Sequence, residues 1–531
     1  MYRYINKVFC PDPDPGAPFP NTRNRPAMSN RLSACAILGG LLAAFGAQAQ
    51  SPAPAAATTL TDTAATAPAQ PLAREAASYT PGKGYEIRMA NGQRLLFGAD
   101  LRLRFDWANR ATALGPDYQM RGVPSGPNVS YERLRTRVWG QWDISPDVTL
   151  FTRLANEWRH YESSPNLANN NDWRTAEFPD EVVFDNLYLD VKNLFDSNWS
   201  LRLGRQDFVG PNAIGNSMII GDGTPGDSSR TYYFDGVTAT YQDGDDTLKL
   251  LALYSRWRDW FVRINSEDNR RLARGNSFLF GPYWTHKFTK AFNTDLYYLY
   301  EIVNSDYDTN QSWSAANNQD ARINVPGVRV FGQPLAWADY SLEVAHQYGT
   351  FADTDSLRGN MVDGRIGLKY PDAEPLPLDP KLNLQYTLMS GDGASGASTY
   401  NGWYPVFGEY PMFTEELTGN LFRGPFWNYN WTNLQRYATS LDLTVMPKRV
   451  VVTPYWEMFT ADCADYNNNY SYGSGSEIGN VLGTFIKTKP FSQGWLQPLE
   501  CNFYMAYMLP GSRYLESDDA WWYRMEFVYR F

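Results

Sequence analysis

The chain has 531 residues and a formal net charge of -10, and Tyr, Phe and Trp make up 15% of it. Aromatic residues at about twice their usual frequency, combined with a mean hydropathy of -0.47, argue against an ordinary soluble globular protein. Two classes remain: a large all-β protein with alternating strands, and a carbohydrate-binding surface protein rich in stacking rings.

The first 82 residues differ from the rest of the chain. Residues 1–27 are Pro-rich and without pattern, and we interpret them as the product of an upstream start codon. Residues 28–49 have a positive segment, an apolar segment and a small-residue cleavage site, which together predict a secretory signal peptide. Residues 50–82 are a low-complexity Ala/Pro/Thr stretch, which we predict to be a disordered linker. The structured domain is therefore expected at 83–531.

From residue 85 onward the hydrophobic pattern has a period of two. Apolar and charged residues alternate in LLFGADLRLRFDW (95–107), YERLRTRVWGQWDI (131–144) and VTLFTRLANEWR (148–159). Such alternation over eight or more residues is typical of β-strands. The last segment, WWYRMEFVYRF (521–531), alternates in the same way, and we expect it to pair with the first strand and close the sheet.

Short and long connections alternate along the chain. A short turn at 145–147 contrasts with long stretches rich in Asn, Gly, Ser and Pro at 160–180, 209–230, 304–326, 391–433 and 460–480. The pattern predicts an all-β fold, a transmembrane antiparallel β-barrel with long extracellular loops and short periplasmic turns. About 25 residues per strand and connection give 16 to 18 strands, enough to enclose an aqueous channel. A soluble sandwich also alternates, but rows of arginine and aromatic strand ends favour the barrel.

Arginine dominates the row that we predict to face the barrel interior. The early strands place six arginines there: Arg102, Arg104, Arg133, Arg135, Arg137 and Arg153. Arginine holds carboxylates through a planar fork, and rings of such charges give pores an anion preference. Alternatively, each arginine pairs with an interior acid such as Asp100, Asp106, Asp143 or Glu157 and only tiles the wall. In LRLGRQDF (201–208), strict alternation turns Arg205 toward lipid, so we expect a bulge at Gly204 or an end-of-strand position.

Four motifs in order resemble the alginate-export family of outer-membrane proteins. They are LGRQ at 203–206, R-x-Y-x-x-D-G at 230–236, SGDG at 390–393 and the terminal AWWYRMEFVYRF. The resemblance implies an 18-stranded monomeric barrel with an electropositive constriction that passes an anionic uronate polymer outward. It also implies that Arg205, Arg230 and Asp235 lie on the substrate path with the early-strand arginines.

Three other functions stay open at this stage. A porin for uptake of small anionic solutes needs the same arginines. A surface carbohydrate-binding barrel without transport is suggested by the aromatic residues Trp403, Tyr404, Trp427, Tyr429 and Trp431. Catalysis is disfavoured because the three histidines (His160, His286 and His346) lie in no catalytic motif, and GNSMI (215–219) lacks the second Gly of a nucleophile elbow.

The expected partners follow from the barrel prediction and the resemblance. They are outer-membrane lipid and lipopolysaccharide, the barrel assembly machinery, an anionic polysaccharide or sugar-acid solute, and periplasmic polysaccharide-export proteins. We predict a monomer in a Gram-negative outer membrane, with no cofactor, no metal and no nucleic-acid partner. Export past the inner membrane allows Cys463 and Cys501 either a disulfide or two thiols.

Overall fold

The protein is described by a computed structural model that covers most of the chain beyond residue 75. The described residues are 76–80, 82–109, 129–163, 177–179, 182–208, 213–216, 219–220, 234–256, 276–304, 320–351, 355–371, 376–392, 398–404, 406, 432–463, 475–512 and 519–531. The predicted signal peptide lies outside them. Ala76–Thr80, which fall in the predicted linker, form a strand because they pair with Gly84–Arg88.

The fold is all β. In chain order the strands are β1 (Ala76–Thr80), β2 (Gly84–Arg88), β3 (Arg94–Asn109), β4 (Val129–Asp143), β5 (Val148–Ser163), β6 (Glu177–Pro179), β7 (Val183–Val191), β8 (Trp199–Gln206), β9 (Phe234–Asp243), β10 (Asp246–Ser255), β11 (Asn276–Lys287), β12 (Asn293–Asn304), β13 (Ala321–Leu335), β14 (Ala338–Phe351), β15 (Asp355–Lys369), β16 (Lys381–Met389), β17 (Thr399–Tyr400), β18 (Leu434–Met446), β19 (Val450–Thr460), β20 (Glu477–Thr488), β21 (Glu500–Pro510) and β22 (Ala520–Arg530). All but β1, β2, β6 and β17 belong to a closed barrel, which therefore has 18 antiparallel strands. The predicted fold class is confirmed.

The barrel closes between its first and last strands, as the terminal pattern predicts. Strand β22 pairs with β3 from Trp521 opposite Asn109 to Arg530 opposite Asp100. Phe531 continues the ladder, since its N–H donates to the Ala99 carbonyl and its carbonyl accepts from the Ala99 N–H. Beyond that point β2 takes over the same edge of β3. The hand-over requires glycine at position 98, because a Cβ there would lie 2.4 Å from the Phe531 carbonyl oxygen.

Most connections follow the predicted division into long and short ends, with four exceptions. On the periplasmic side, 192–198, 370–380 and 489–499 are longer than the turns of two to five residues that hairpins prefer. On the extracellular side, only 352–354 separate β14 from β15. Length alone therefore does not assign a connection to one end of this barrel.

Side chains alternate between the lipid-facing surface and the barrel interior, here called the lumen. On β14, the outward Leu342 and Val344 are 43% and 40% exposed, whereas the inward Glu343 is fully buried. The outward row is apolar because hydrocarbon surrounds it, and the inward row carries the charges. Among the described residues, no helix is both long enough and apolar enough to cross a membrane. Cys463 lies just beyond the extracellular end of β19, Cys501 lies at the periplasmic start of β21, and no disulfide joins them.

Candidate functional site: the lumen

A cluster of arginines occupies the lumen side of the strands around the closure. We call it the basic wall: Arg102 and Arg104 on β3, Arg133, Arg135 and Arg137 on β4, Arg153 on β5, and Arg524 on β22. Arginine stands directly opposite arginine in two places, Arg102 with Arg135 and Arg104 with Arg133. These four side chains are buried. The strand register thus brings together all six arginines that alternation predicted to face inward.

Acids from neighbouring strands hold part of the basic wall. Arg104 Nε donates to Glu526 Oε2 at 2.5 Å, and Arg135 Nη2 donates to Asp100 Oδ1 at 3.3 Å. Arg524 Nε donates to Asp106 Oδ1 at 2.7 Å. Asp100 and Asp106 therefore pair with arginine, as the tiling interpretation requires. The third predicted acid, Asp143, pairs with Arg94 near the periplasmic end, and the side chain of Glu157 lies outside the described residues.

A β-bulge on β7 places an acid, Asp185, beside Arg137 and Arg153 of the basic wall. Along the β5–β7 ladder Arg153 pairs with Asn186 but Leu154 pairs with Phe184, so Asp185 is the extra residue. Asp185 Oδ2 lies 2.6 Å from Arg153 Nε and 3.1 Å from Arg137 Nε. Arg153 Nη2 also donates to Asp207 Oδ2 at 2.9 Å. The bulge places two consecutive buried polar residues, Asp185 and Asn186, at the lumen side.

Arg205 lies at the extracellular end of β8, apart from the basic wall. No register shift interrupts its ladders, and Arg205 has the same strand parity as the exposed, outward Leu203. Its guanidinium is buried by a two-pronged pair with Asp235 on β9, with Nε and Nη2 at 2.8 and 3.1 Å from the two carboxylate oxygens. The end-of-strand position avoids a charge at the bilayer centre. Arg230, the third residue of the resemblance, lies outside the described residues.

Part of the β8–β9 connection folds into the lumen. We call residues 213–216 and 219–220 the inner strap. Asn216 bonds to β14 and β15: its N–H donates to Glu343 Oε2 at 2.7 Å and its Nδ2 donates to Asp363 Oδ2 at 2.9 Å. Its Oδ1 accepts from Ser341 Oγ at 3.0 Å, and its carbonyl accepts from Arg365 Nη2 at 3.0 Å.

Residues at the two ends of this part of the chain bond to different parts of the barrel wall. Asp207 is bonded to Arg153 and Asn186 on β5 and β7, whereas Asn216 is bonded to β14 and β15.

The inner surface of the barrel that contacts the inner strap has a polar part and an apolar part. Its polar part, here called the strap wall, consists of Asp295 on β12, Arg329 on β13, Ser341 and Glu343 on β14, and Asp363 and Arg365 on β15. Arg329 donates to Asp295 Oδ2 at 2.8 Å, and Asp363 also accepts from Arg365, Gln385 and Thr387. The fully buried Ile214, Ile219 and Ile220 belong to one hydrophobic cluster with inward residues of β10 to β13, among them Leu253, Leu299 and Ile323.

The SGDG motif has a structural role on the extracellular side. The Ser390 carbonyl accepts hydrogen bonds from the N–H groups of Trp403 and Asn433, and the Gly391 N–H donates to Asp462. Trp403 and Tyr404 are buried, and Gln347 bonds both the N–H and the carbonyl of Tyr404. These two rings are therefore not available to stack on a sugar. Trp427, Tyr429 and Trp431 lie outside the described residues.

Neither a metal site nor a catalytic constellation is found in the described part of the chain. No group of three or more His, Cys, Asp or Glu there is arranged to hold an ion. His286 Nδ1 lies 2.8 Å from Asp246 Oδ1, and the outward His346 bonds Asn360. The side chain of His160 is outside the description.

Several lumen residues were absent from the predicted site. Arg524 and Glu526 could have been predicted as lumen residues, because the alternation of the last strand places both of them on its inward face. Asp185 carried none, since nothing in VVFDNLYLD marks which residue is extra. Asn216 lies in GNSMI, a segment whose sequence suggests only an incomplete nucleophile elbow.

An 18-stranded barrel with an apolar outer surface and buried charges within is an outer-membrane channel of the porin type. The sequence model of the alginate export family matches residues 93–422, which is more than half of the chain. The protein belongs to the alginate export family and lies in the outer membrane of a Gram-negative bacterium, surrounded by its lipid. No curated protein matches the chain.

Solved structures share the fold at low sequence identity. OccAB2 of Acinetobacter baumannii is 13% identical with a TM-score of 0.50, over 82% of this chain and 98% of that one. OccK5 (OpdH) of Pseudomonas aeruginosa is 12% identical with a TM-score of 0.49, over 82% and 97%. The outer membrane protein OprD of Pseudomonas aeruginosa is 11% identical with a TM-score of 0.47, over 82% and 94%. At such identities OccAB2 supports the barrel fold and nothing about cargo.

Proposed function

We propose that this channel passes an anionic polysaccharide, alginate or another polyuronate, along the basic wall. The observation that carries the proposal is the opposition of Arg102 to Arg135 and of Arg104 to Arg133. Like charges directly opposite each other destabilise a sheet. A wall that served only for tiling would alternate arginine with acid, so paired arginines are better explained by an anion that visits them.

The chemistry of the wall suits a carboxylate. Arg135 Nε and Arg137 Nη2 are buried donors with no hydrogen-bond acceptor among the described residues. A uronate carboxylate has two oxygens that match the guanidinium fork. Because the arginines follow one another along β3 and β4, a polymer with one carboxylate per sugar can exchange one contact for the next. Weak, repeated contacts allow both admission and release.

Family membership supports the polymer as the cargo and export as the direction. The barrel acts as a monomer and has no catalytic role in this proposal. Movement is passive, and direction comes from the gradient or from periplasmic export proteins that deliver the chain. In this proposal the Arg205–Asp235 pair, at the extracellular ends of β8 and β9, marks the rim of the path, and lipopolysaccharide surrounds the barrel there.

Planar-bilayer recording of the purified channel tests the proposal. We expect anion selectivity in potassium chloride and block of the current by oligouronates, with no block by neutral oligosaccharides of equal length. A cation-selective channel, or equal block by both oligosaccharides, would refute the polyuronate pathway.

The same recording discriminates the alternative function, uptake of small anionic solutes. A channel for small anions would carry current with monomeric uronate as the charge carrier yet would not be blocked by the oligomer. Assembly with periplasmic proteins, measured by co-purification from the producing cell, would favour export.

A further inference from the structure

We propose that Asn216 determines the size selectivity of the channel by fastening the inner strap to β14 and β15. The inference concerns the width of the lumen, so it does not depend on the charge or identity of the cargo. It goes beyond the proposed function, which rests on the basic wall.

All four polar groups of Asn216 bond to the strap wall. The backbone N–H donates to Glu343 and the side-chain amide donates to Asp363, while Ser341 and Arg365 donate to its two oxygens. The four partners form a box, because Glu343 faces Asp363 and Ser341 faces Arg365 across adjacent strands. One residue is thus fixed in both position and orientation against the wall.

The box requires the asparagine side chain. Its amide must donate to a carboxylate on one side and accept from a hydroxyl on the other, and a terminal amide is one side-chain group that has both capacities. An aspartate at position 216 would have the same shape, but it would place a third carboxylate beside Glu343 and Asp363. Both of these carboxylates are fully buried, so the repulsion would be poorly screened.

The neighbouring glycine is an independent sign that the strap is built for this contact. Gly215 has a φ of 59°, and a Cβ there would lie 2.5 Å from Glu343 Oε1. Only glycine combines this backbone conformation with so close an approach to the carboxylate. The Glu343 carboxylate is therefore approached by two consecutive strap residues, Gly215 and Asn216.

The strap leaves the basic wall as the route for a solute. Ile214, Ile219 and Ile220 are buried in a hydrophobic cluster that includes inward residues of β10 to β13, and Asn216 bonds to β14 and β15. On the basic wall, in contrast, charged side chains face the lumen. Releasing the anchor would free the strap from β14 and β15 and widen the path available to solutes.

The test compares Asn216→Asp with Asn91→Asp by single-channel conductance and by exclusion of polyethylene glycols of graded size. Asn91 is an exposed residue of a periplasmic turn, and its substitution adds the same charge far from the strap. For Asn216→Asp we expect at least a twofold rise in conductance and admission of larger polymers. For Asn91→Asp we expect wild-type values.

In a double variant, Asp363→Asn is added to Asn216→Asp. The amide at position 363 can then donate to the carboxylate at position 216, and the site again holds the wild-type number of carboxylates. We expect the double variant to recover most of the wild-type size limit, which a general loss of structure would not allow. Should Asn216→Asp fail to assemble, as shown by heat-modifiable migration in gels, Asn216→Ser removes both side-chain arms without adding charge. A folded Asn216→Ser or Asn216→Asp channel with the wild-type conductance and size limit would overturn the proposal.

Failure of this proposal is separable from failure of the proposed function. Polyethylene glycol is neutral, so its exclusion reports on the strap alone. Block of the wild-type channel by oligouronates reports on the basic wall alone.

Discussion

The two sides of the lumen solve the same electrostatic problem in opposite ways. On the basic wall, arginine opposes arginine, as Arg102 does Arg135; on the strap wall, carboxylate opposes carboxylate, as Glu343 does Asp363. The acids of the strap wall receive donors from within the protein, including the amide of Asn216 and the Tyr297 hydroxyl. The arginine pairs of the basic wall also bond to acids of the protein, as Arg104 does to Glu526 and Arg135 to Asp100, and we propose a solute carboxylate as their further partner.

Among the predictions that test this comparison, we expect the largest loss of unfolding free energy from Asp185→Ala. The substitution removes the carboxylate that lies against both Arg137 and Arg153, and losing one partner of a buried pair costs about 3–5 kcal/mol. Urea unfolding of the barrel in lipid vesicles measures the loss. Asp190→Ala is the control, because the Asp190 carboxylate is 23% exposed whereas the Asp185 carboxylate is fully buried, so the loss should be smaller. Equal losses would mean that the bulge has no special place in the basic wall.

The next effect tests whether the strap belongs to the core. Ile219 is fully buried, and Ile219→Ala should lower the free energy of unfolding by about 2–4 kcal/mol through the lost burial and the cavity. The control is Ile302→Ala on the outward face of β12, where lipid fills the vacated space and the loss should be smaller. The same urea titration applies. An unchanged midpoint for Ile219→Ala would show that the strap does not pack on the wall.

A smaller effect is expected from neutralising the basic wall. Arg133→Gln together with Arg135→Gln removes two buried charges, and the anion-to-cation permeability ratio should fall about threefold to tenfold. The tenfold limit corresponds to about 1.4 kcal/mol. Reversal potentials across a salt gradient give the ratio. Unchanged selectivity would mean that these arginines only tile the wall.

The smallest effect is expected from the matched pair on the outer surface. Arg322 on β13 and Arg358 on β15 are exposed and outward, so Arg322→Gln with Arg358→Gln removes the same charge from the other side of the sheet. We expect no measurable change in the reversal potential. A shift as large as that of the inward pair would show that total charge, and not its position in the lumen, sets selectivity.

Much of the barrel was predictable because the bilayer imposes a rule on every strand. LLFGADLRLRFDW and the terminal WWYRMEFVYRF alternate cleanly. The inward orientation predicted for Arg102 and Arg104 and the predicted pairing of β22 with β3 both agree with the structure. On β10 the rule weakens. LKLLALYS has apolar residues on both faces, because Leu251 and Leu253 are covered inside the lumen.

On strands that alternate cleanly, the amino-acid sequence alone determines which residues face lipid and which face the lumen, since that choice depends on alternation against a hydrocarbon solvent. It also places the arginines of β3, β4 and β5 on one face. Only the tertiary structure decides two other features: the extra residue Asp185 beside Arg137 and Arg153, and the four bonds of Asn216 to β14 and β15. Asn216 and Glu343 are 127 positions apart in the chain. No local pattern predicts such a contact, because it forms only when the closed barrel brings β14 and β15 to the inner strap.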